Sequence, residues 1–581
     1  MILAFGGTTE GRKTITALEE AGKTYYYSTK TGEQEVTLRH GIRVDGAMDA
    51  ESMAAFCLSH HIRLLIDAAH PFARQLHATV AKTASDLHLP AIRFERIYPP
   101  RDKDILWCDD YDEIPADMHT LLATTGVQTI ARLRHLEQQG VKVYYRILPR
   151  ERSRSLARQE GVPDHQLCFY HEDEDEQAIL ERLRPDALLL KESGETGGFA
   201  AKVTAARALG IRIIAIRRPA TPAIFHCVDG EHGLRRMVEK LLPEFYDLHS
   251  GLTTGTCATA AAIAATRRLR TGETPPWVEV RLPNGEHIPV TVGYGEDYAF
   301  VVKESGDDPD VTNGLEIRVT ATMSDHFEIK GGEGVGTITL PGFDYPPGSP
   351  AINKVPRQML RDNITGHVAL TISVPEGASI ATRTFNPRLG IVGGISIVGV
   401  SGIVKPFSES AFLDSIRKCL EVAKASGSGR VVINSGAKSE RFVKALYPTL
   451  PRQAFVEYGN YIGETLKMAD TLGIPHLTLG VMMGKAVKLA SGQLDTHSRH
   501  GVMDKKWIAE MLKEADCDID VSQLTLAREL WNLVPQEKTE QFCRIVIGHC
   551  AHHCEPLFPH GQLTILLIDE EGGIHSATSS R

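Results

Sequence analysis

The sequence MILAFGGTTEGR, residues 1–12, joins an apolar run to a glycine-rich turn. Met1–Phe5 predicts a short buried strand, and the residues up to Ala21 predict a helix. Glycines in such a turn let the backbone approach a phosphate, which N–H groups at the helix N-terminus can bind. The stretch therefore predicts a nucleotide-binding α/β unit, and a tight strand-to-helix turn without a ligand remains the alternative.

The alternation of apolar strands and helices continues to about residue 245. Further strands are predicted at Tyr25–Tyr27, Leu64–Asp67, Leu121–Ala123, Val141–Tyr145, Ala187–Leu190 and Ile211–Ile216. Strands separated by helices imply parallel sheets with helices on both faces. Residues 1–245 are therefore expected to form an α/β domain.

The composition changes after a predicted hinge at Pro243–Gly251. Glycine and proline become frequent, and Asn284-Gly285 lies between two strand-like flanks, which is a strong hairpin signal. The region 249–426 is therefore predicted to be an α+β domain with a mixed sheet.

From about Gly427 the α/β alternation resumes, with strands predicted at Val431–Asn434, Phe455–Tyr458 and Leu477–Val481. The region 427–581 is expected to be a smaller Rossmann-like α/β domain. The fold class is thus a multidomain α/β protein.

Composition limits the classes of function. The 581 residues are 42% apolar and 24% charged, which excludes wholesale disorder, and the net charge of −9 argues against a dedicated nucleic-acid binder. Apolar runs are shorter than the about 20 residues of a membrane span, and the first residues do not resemble a signal peptide. Ten scattered cysteines fit a reducing compartment. We expect a cytoplasmic protein without nucleic-acid or membrane partners, and self-association stays open.

Ser28-Thr29-Lys30 follows the second predicted strand. Sites selective for NAD place an acidic residue there to bind the ribose hydroxyls. Hydroxyls and a cation suit a 2′-phosphate better, so these three residues predict NADPH rather than NADH as the cofactor.

Several motifs resemble one family in their order along the chain. GGTTEGR (6–12), DAAHPFA (67–73), YRILPR (145–150), LLLKESGETGGFAAKVTAARALGI (188–211) and IRRP (216–219) are similar to the precorrin-6A reductases of cobalamin biosynthesis. The resemblance covers about residues 1–245. It implies two Rossmann-like lobes, about 1–100 and 101–245, and reduction of a macrocyclic double bond with NADPH.

The resemblance also implies site residues. Those expected to bind the cofactor are Gly6, Gly7, Thr8, Glu10, Gly11, Arg12, Lys191, Ser193, Gly194, Gly197 and Gly198. Glu192 and Lys202 are expected to contact substrate in the same cleft. The segment KESGETGG is a second glycine-rich loop after a strand, where α/β sheets bind ligands. Plain solvent exposure is the alternative for the two lysines.

Three further residues are candidates in this region. His70 follows a strand end and is predicted to donate the proton that accompanies hydride transfer, with a pKa near the working pH. A role in orienting its loop is the alternative. Arg146 and Arg150 are predicted to bind carboxylate arms of the substrate, since guanidinium pairs with carboxylate in bidentate geometry.

The C-terminal half resembles a second family. GGEGVGTITLPG (331–342), TFNPRLGIVGGISIVGVSGIV (384–404), VEYGNYIGE (456–464) and GKAVKLASGQLDTHS (484–498) are similar to the cobalt-precorrin-5B C1-methyltransferases. The resemblance covers about residues 249–581. It implies S-adenosylmethionine as the cofactor and a cobalt-corrinoid substrate.

Glycine-rich turns after strands suit an adenosine ligand. The candidates for binding the methyl donor are Gly332, Gly334, Gly336, Gly393 and Gly394. Asn386, Arg388 and Asn460 are expected to contact the donor or the substrate. Asp495 and His497 are predicted to act as a base or to bind a substrate arm. A structural role is the alternative for all of them.

No protein metal site is predicted. His549–Cys554 is rich in histidine and cysteine but has no second pair at zinc-site spacing. The acidic segment at Asp307, Asp308 and Asp310 does not have the calcium-loop spacing. The cobalt belongs to the substrate.

The two resemblances together predict a bifunctional enzyme. Its C-terminal half would methylate cobalt-precorrin-5B at C1, and its N-terminal half would reduce the resulting cobalt-precorrin-6A to cobalt-precorrin-6B. The alternative is a corrinoid-binding protein with only one or neither half active. The intact GGTTEGR and KESGETGG loops favour the enzyme.

Overall fold

The structure is a computed structural model that describes residues 1–30, 34–171, 175–194, 198–496 and 503–578. The chain divides into two compact units. Unit 1 comprises Met1–His249 and Arg281–Pro289, and unit 2 comprises Ser250–Val280 and Val290–Arg581. Within the described ranges, every helix is too short or too polar to cross a membrane.

Unit 1 is built from short strands and helices that alternate. Its strands are β1 (Ile2–Phe5), β2 (Tyr25–Thr29), β3 (Gly41–Asp45), β4 (Leu64–Asp67), β5 (Ala91–Phe94), β6 (Leu106–Cys108), β7 (Thr120–Ala123), β8 (Lys142–Ile147), β9 (Leu167–Phe169), β10 (Ala187–Lys191), β11 (Arg212–Ile216) and β12 (Phe225–Val228). Its α-helices are α1 (Thr9–Glu19), α2 (Ala50–Ser59), α3 (Arg74–Asp86), α4 (Arg134–Gln138), α5 (Glu151–Gln159), α6 (Glu176–Leu183), α7 (Phe199–Ala208) and α8 (Glu231–Leu241).

These strands form two parallel sheets of six strands each. The first has the order β12-β5-β4-β1-β2-β3, and the second has the order β6-β11-β10-β7-β8-β9. In each sheet the winding direction reverses once, between β1 and β4 and between β7 and β10. The expectation of parallel sheets with helices in the N-terminal part is confirmed.

The last segment of unit 1 returns to the first sheet. β12 pairs with β5, and Leu234 and Val238 of α8 pack in the same core as Ile2 of β1. Tyr246 lies in that core and donates a hydrogen bond of 2.8 Å to the Ala17 carbonyl. The segment from β12 to Tyr246, expected in the second lobe, thus packs with the first sheet, because the apolar face of α8 is buried there.

Unit 2 contains more short strands. They are β13 (Gly251–Leu252), β14 (Trp277–Arg281), β15 (His287–Thr291), β16 (Gly293–Tyr294), β17 (Ala299–Val302), β18 (Glu316–Met323), β19 (Glu328–Gly331), β20 (Thr337–Ile338), β21 (Val368–Ser373), β22 (Ile391–Val392), β23 (Ile403–Val404), β24 (Val431–Asn434), β25 (Phe455–Glu457), β26 (His476–Met482), β27 (Gln562–Ile568) and β28 (Ile574–Thr578). The last residue of β14, the turn and the first three residues of β15 belong to unit 1. Its α-helices are α9 (Thr254–Thr271), α10 (Lys354–Asn363), α11 (Gly377–Ala381), α12 (Asn386–Leu389), α13 (Glu409–Ala425), α14 (Ala437–Leu446), α15 (Ile462–Thr471), α16 (Met483–Ala490), α17 (Lys505–Glu514), α18 (Leu530–Leu533) and α19 (Gln536–Cys554).

Two five-stranded sheets organise unit 2. The mixed sheet β16-β17-β18-β21-β19 packs against the alanine-rich α9. The second sheet has the order β25-β24-β26-β27-β28, in which only β28 is antiparallel. Ile416 and Leu420 of α13 lie in the core of this second sheet. The predicted boundary at 427 therefore falls too late, since α13 packs with the C-terminal domain.

The predicted hairpin is present as β14 and β15. Its turn holds Pro283, Asn284 and Gly285, and Gly285 has the left-handed φ of +88° that glycine tolerates. The Glu286 carboxylate accepts the backbone N–H groups of Glu231 at 3.0 Å and His232 at 2.9 Å. The hairpin tip thus caps the N-terminus of α8 within unit 1.

Candidate functional site

The glycine-rich turn after β1 is shaped around Tyr27. A Cβ on Gly6 or Gly11 would lie 1.8 or 2.4 Å from the Tyr27 hydroxyl, so these two glycines make room for the ring. Gly7 has φ of +93°, and no atom lies within 4 Å of the position of its missing Cβ. Thr8 caps α1 by accepting the Gly11 N–H at 3.0 Å. The turn therefore leaves open space at Gly7 for a ligand.

Arg96 joins the reversal points of the two sheets of unit 1. Its Nε lies 3.0 Å from Glu10 Oε2, and its Nη1 donates to the Ser193 carbonyl at 2.7 Å. Glu10 follows β1 and Ser193 follows β10, so two loops at reversal points lie side by side. Ligands of open α/β sheets bind at such points, outside the carboxyl ends of the strands. The predicted contact of Glu10 with the cofactor stays a prediction, and its carboxylate here binds Arg96.

The predicted 2′-phosphate residues lie at the end of β2. Ser28 and Thr29 are buried, and Lys30 is exposed. Thr29 donates a hydrogen bond of 2.8 Å to Asp45, a carboxylate at the end of β3. This bond and the charge of Arg43 hold the pKa of Asp45 below its usual range. Arg12, on the exposed face of α1, also stays a candidate for the phosphate.

His70 lies at the reversal point after β4. Burial and the positive charges of Arg96 and Lys191 lower its pKa to about 4. The expectation of a pKa near the working pH is therefore wrong. Nδ1 accepts the Phe72 N–H at 3.2 Å, which places the proton of the neutral ring on Nε2.

Lys191 ends β10 at the second reversal point. Its Nζ lies 5.1 Å from the centre of the Phe72 ring, and it has no ion pair with any carboxylate that the structure describes. Burial and the charges of Arg132 and Arg74 lower its pKa to about 8. The group is a half-buried cation beside other cations, an arrangement that attracts an anionic ligand.

A buried charge network behind His70 was not predicted. Asp67, fully buried, lies 2.7 Å from Arg93 and 2.5 Å from His77 Nδ1. Burial opposes ionisation, yet the bonds from His77 and Arg93 hold the pKa of Asp67 low. Arg93 also pairs with Glu95 at 2.9 Å. The network fixes the loop that carries His70.

Two predicted substrate residues come together on Glu176. Arg146 pairs with its carboxylate, and Lys202 lies 3.2 Å from it. Arg146 also lies 4.9 Å from the centre of the Tyr170 ring. Arg150 is exposed just before α5. Substrate contact by these residues stays a prediction.

Glu192 is bonded by two arginines, and its predicted contact with substrate stays a prediction. Its carboxylate receives Arg101 at 2.9 and 3.0 Å and Arg218 at 2.8 Å. Every oxygen is thus bonded by a protein arginine, which makes Glu192 a residue that positions Arg218.

Arg218 also lines a cavity of about 460 Å³. Its charged lining includes Arg74, Arg217, Arg218, His77 and Asp109. Arg217 pairs with Asp109 and Arg218 with Glu192, both at 2.8 Å, and guanidinium groups in this lining suit a ligand with carboxylates.

Gly194 and Gly198 both have left-handed φ, of +72° and +69°. A Cβ on Gly194 would lie 2.9 Å from Arg96 Cβ, so the close approach of these loops needs glycine. Gly197 lies outside the described residues.

The predicted donor-binding glycines of unit 2 mostly face protein backbone. A Cβ on Gly334 would lie 1.8 Å from the Val374 carbonyl oxygen, and one on Gly394 would lie 2.1 Å from the Gly334 oxygen. Gly332 and Gly336 are equally crowded. The segments around Gly334, Val374 and Gly394 contact one another closely here, so protein atoms fill the space beside these glycines. Gly393, with φ of +80°, is the exception and faces open space.

Asn386 and Arg388 are held by protein groups. The Asn386 amide donates to the Gly394 carbonyl at 2.9 Å and its oxygen accepts from Ser396 at 3.0 Å. Arg388 lies 2.8 Å from Glu440 and 3.8 Å from Glu457. Their ligand contacts stay predictions.

Asn460 and Asp495 lie on neighbouring segments. The Thr496 N–H donates to the Asn460 carbonyl at 3.0 Å, and Tyr461 forms a bridge with Asp495. The negative charge of Asp495 raises the pKa of Lys485, a residue shortly after β26, and so opposes the larger lowering of that pKa by burial. His497 lies outside the described residues.

The described ranges contain no cluster of three or more His, Cys, Asp or Glu side chains suited to a metal ion. Cys550 and Cys554 are buried in α19, and His549 bonds Glu514 at 2.9 Å. Asp310 pairs with the buried Lys303 at 2.7 Å.

The fold is that of a multidomain α/β protein with parallel sheets in its N-terminal part. The model of the precorrin-6x reductase CbiJ/CobK family matches residues 1–234. The models of CbiD and of the CbiD C-terminal domain match residues 243–406 and 495–579.

Curated relatives agree with the second assignment. The cobalt-precorrin-5B C(1)-methyltransferase of Prosthecochloris aestuarii is 40% identical over 351 residues, covering 56% of this chain and 95% of its own. The enzyme of that name from Thermus thermophilus is 42% identical over 274 residues, covering 46% and 75%.

Two solved structures are also similar in part. The cobalamin biosynthesis protein cbiD from Archaeoglobus fulgidus is 28% identical, with a TM-score of 0.26, and covers 44% of this chain and 83% of its own. The CobK precorrin-6A reductase is 20% identical, with a TM-score of 0.34, and covers 42% and 97%.

The chain therefore belongs to the cobalt-precorrin-5B C(1)-methyltransferase family through its C-terminal part, fused to a domain of the precorrin-6x reductase CbiJ/CobK family. It is a bifunctional enzyme of cobalamin biosynthesis with a reductase and a methyltransferase domain.

Proposed function

We propose that the chain catalyses two consecutive steps on a cobalt-corrinoid. Unit 2 methylates cobalt-precorrin-5B at C1 to give cobalt-precorrin-6A, and unit 1 reduces this product to cobalt-precorrin-6B. The observation that carries the reductase assignment is the Arg96 link, which holds the loops after β1 and β10 side by side. We interpret the two parallel sheets as two Rossmann-like lobes that share one cleft. We also propose that the protein is cytoplasmic.

NADPH fits the turn after β1, because Gly7 leaves open space in a left-handed conformation beside the first turn of α1. When bound, NADPH supplies the hydride for one carbon of the double bond. Gly7, Thr8 and Arg12 would hold the phosphates, and Ser28, Thr29 and Lys30 would bind the 2′-phosphate. The second carbon takes a proton from solvent, and the neutral His70, whose pKa is lowered to about 4, can donate only a hydrogen bond from Nε2–H.

The macrocycle binds through its carboxylate arms. Arg74 and Arg217 line the 460 Å³ cavity, and Lys191 lies close enough to Arg74 for that charge to lower the lysine's pKa. Lys191 is the most buried of these cations, and a buried cation attracts a carboxylate more strongly because the local dielectric is lower. These groups orient the ring for hydride transfer.

S-adenosylmethionine, when bound to unit 2, supplies the methyl group. Transfer from a sulfonium is an in-line displacement, so unit 2 contributes mainly by positioning the donor and the C1 carbon.

The order of steps can be tested by following NADPH oxidation with cobalt-precorrin-5B as the substrate. Oxidation is expected only when S-adenosylmethionine is also present. Oxidation without the methyl donor would contradict the proposed order.

A further inference from the structure

The second sheet of unit 2 has one reversal point. From β24 the chain passes to β25 on one side and then to β26 on the other side of β24. In open α/β sheets such a reversal leaves a crevice outside the carboxyl ends of the strands, where ligands bind. Ser435 and Gly436 follow β24, and Lys485 lies just after β26.

The Glu457 carboxylate lies at the carboxyl end of the strand next to β24. Glu457 is the last residue of β25, the strand beside β24. A Cβ on Gly436 would lie 3.4 Å from Glu457 Oε1, so the carboxylate lies directly next to the glycine turn. An acidic residue about 20 residues after such a glycine turn, at the end of the next strand, is the arrangement that binds ribose hydroxyls in dinucleotide sites.

The Glu457 carboxylate accepts no hydrogen bond from any described residue. Its closest cation is Arg388, whose Nη2 lies 3.8 Å from Oε2, and 29% of its side chain is exposed. Ionised carboxylates have about four acceptor positions, and most stay available here. A ligand with hydroxyl donors can use them.

Charges of both signs lie around this crevice. Glu457 and Asp495 raise the pKa of Lys485, but burial and the charge of Lys488 lower it to about 8 overall. Lys485 donates to the Gly459 carbonyl. The lysine thus has a backbone acceptor, whereas the acceptor positions of Glu457 stay available to the hydroxyl groups of a ligand.

We infer that Glu457 binds the 2′- and 3′-hydroxyls of the adenosyl methyl donor at the reversal point between β24 and β26. This inference rests on the proposed methyl transfer and moves the donor site away from the crowded glycines at 332–336. Both hydroxyls donate to the carboxylate, and Gly436 lets the ribose approach the backbone.

The test is calorimetric binding of S-adenosylhomocysteine and its 2′-deoxy analogue to the full chain. Wild type is expected to bind the deoxy analogue about tenfold or more weakly, since hydrogen bonds to charged groups contribute that much. Glu457→Gln should bind S-adenosylhomocysteine with a similar loss and discriminate little between the two ligands. Glu464→Gln, an exposed glutamate paired with Lys467 at 2.7 Å, is the matched control and should behave as wild type.

The outcomes separate the two claims. Equal binding of both ligands by wild type, or discrimination that Glu457→Gln retains, would overturn the role of Glu457 alone. A wild-type chain that binds neither ligand would overturn the methyl-donor assignment together with this inference. Calorimetric unfolding of unit 2, compared with wild type, checks that the Glu457→Gln variant is folded. If it is not, the wild-type comparison of the two ligands decides whether the inference holds.

Discussion

Burial and neighbouring cations shift the pKa values of single side chains in the reductase cleft. His70 is neutral because Arg96 and Lys191 lie close to it in a buried loop. Lys191 keeps a half-buried ammonium without a carboxylate partner among the described residues. Such groups cost stability in the empty protein and gain interactions when an anionic ligand arrives.

Lys191→Met should make unit 1 more stable at pH 7. The pKa of Lys191 falls from 10.5 to about 8 in the folded chain, so folding favours the neutral amine. The cost of the ammonium is fully present below about pH 8 and disappears as the pH rises to 10.5. It amounts to at most about 3 kcal/mol.

Calorimetric unfolding of both proteins at pH 7 and pH 10.5 measures this difference. Lys202→Met is the control, because Lys202 pairs with Glu176 at 3.2 Å and its loss should not stabilise. A stabilisation by Lys191→Met that is equal at both pH values would contradict the charge explanation.

Residue roles were only partly predictable from sequence. GGTTEGR and KESGETGG were found because glycine-rich loops directly follow strands. Arg96 was missed because its partner Glu10 is 86 residues away and its second partner Ser193 is 97 away. The bonds of Arg101 and Arg218 to Glu192 were also missed. Partners from distant segments leave no local pattern.

At the scale of elements, the hairpin of β14 and β15 supports a helix that precedes it by some 50 residues in the chain. Glu286, 6% exposed, accepts two N–H groups at the start of α8. A negative charge there also interacts favourably with the helix dipole. A piece of sequence from the methyltransferase region thus completes the reductase unit.

Glu286→Ala should destabilise unit 1 by about 1–2 kcal/mol, the usual loss for a helix cap. Glu279→Ala, on an exposed position of β14, is the matched control and should leave unit 1 unchanged. Calorimetry with NADPH present identifies the transition of unit 1, since ligand raises its midpoint. Equal effects of the two variants would argue against the cap.

The central strands of the two sheets of unit 1 were predicted, but β3, β5, β6, β9 and β12 and the connections between strands were not. β4 and β24 agree with the predicted strands residue for residue. The return of β12 and α8 to the first sheet was missed, because apolar periodicity shows that a helix is amphipathic and not which sheet it covers. The boundary before α13 was missed for the same reason.

At the scale of the whole molecule, the two activities should be separable by mutation. Gly7→Val places a side chain at φ of +93° in the open space of the β1 turn. Reduction should fall strongly while methyl transfer continues, because the methyltransferase residues belong to unit 2.

Gly22→Val is the matched control for this change. Gly22 has φ of +63° and equally open surroundings, but lies after the C-terminal end of α1, away from the turn. It carries the same kind of backbone strain and should keep both activities. Loss of methyl transfer in Gly7→Val would contradict separate sites.

The most direct measurement is the mass of the product formed by the purified chain from cobalt-precorrin-5B and S-adenosylmethionine, first without and then with NADPH. We expect the gain of one methyl group in the first case and of two further hydrogens only in the second. Methyl gain without reduction would contradict the assignment of unit 1. An unchanged mass with authentic substrate would contradict the bifunctional account and favour a corrinoid-binding protein.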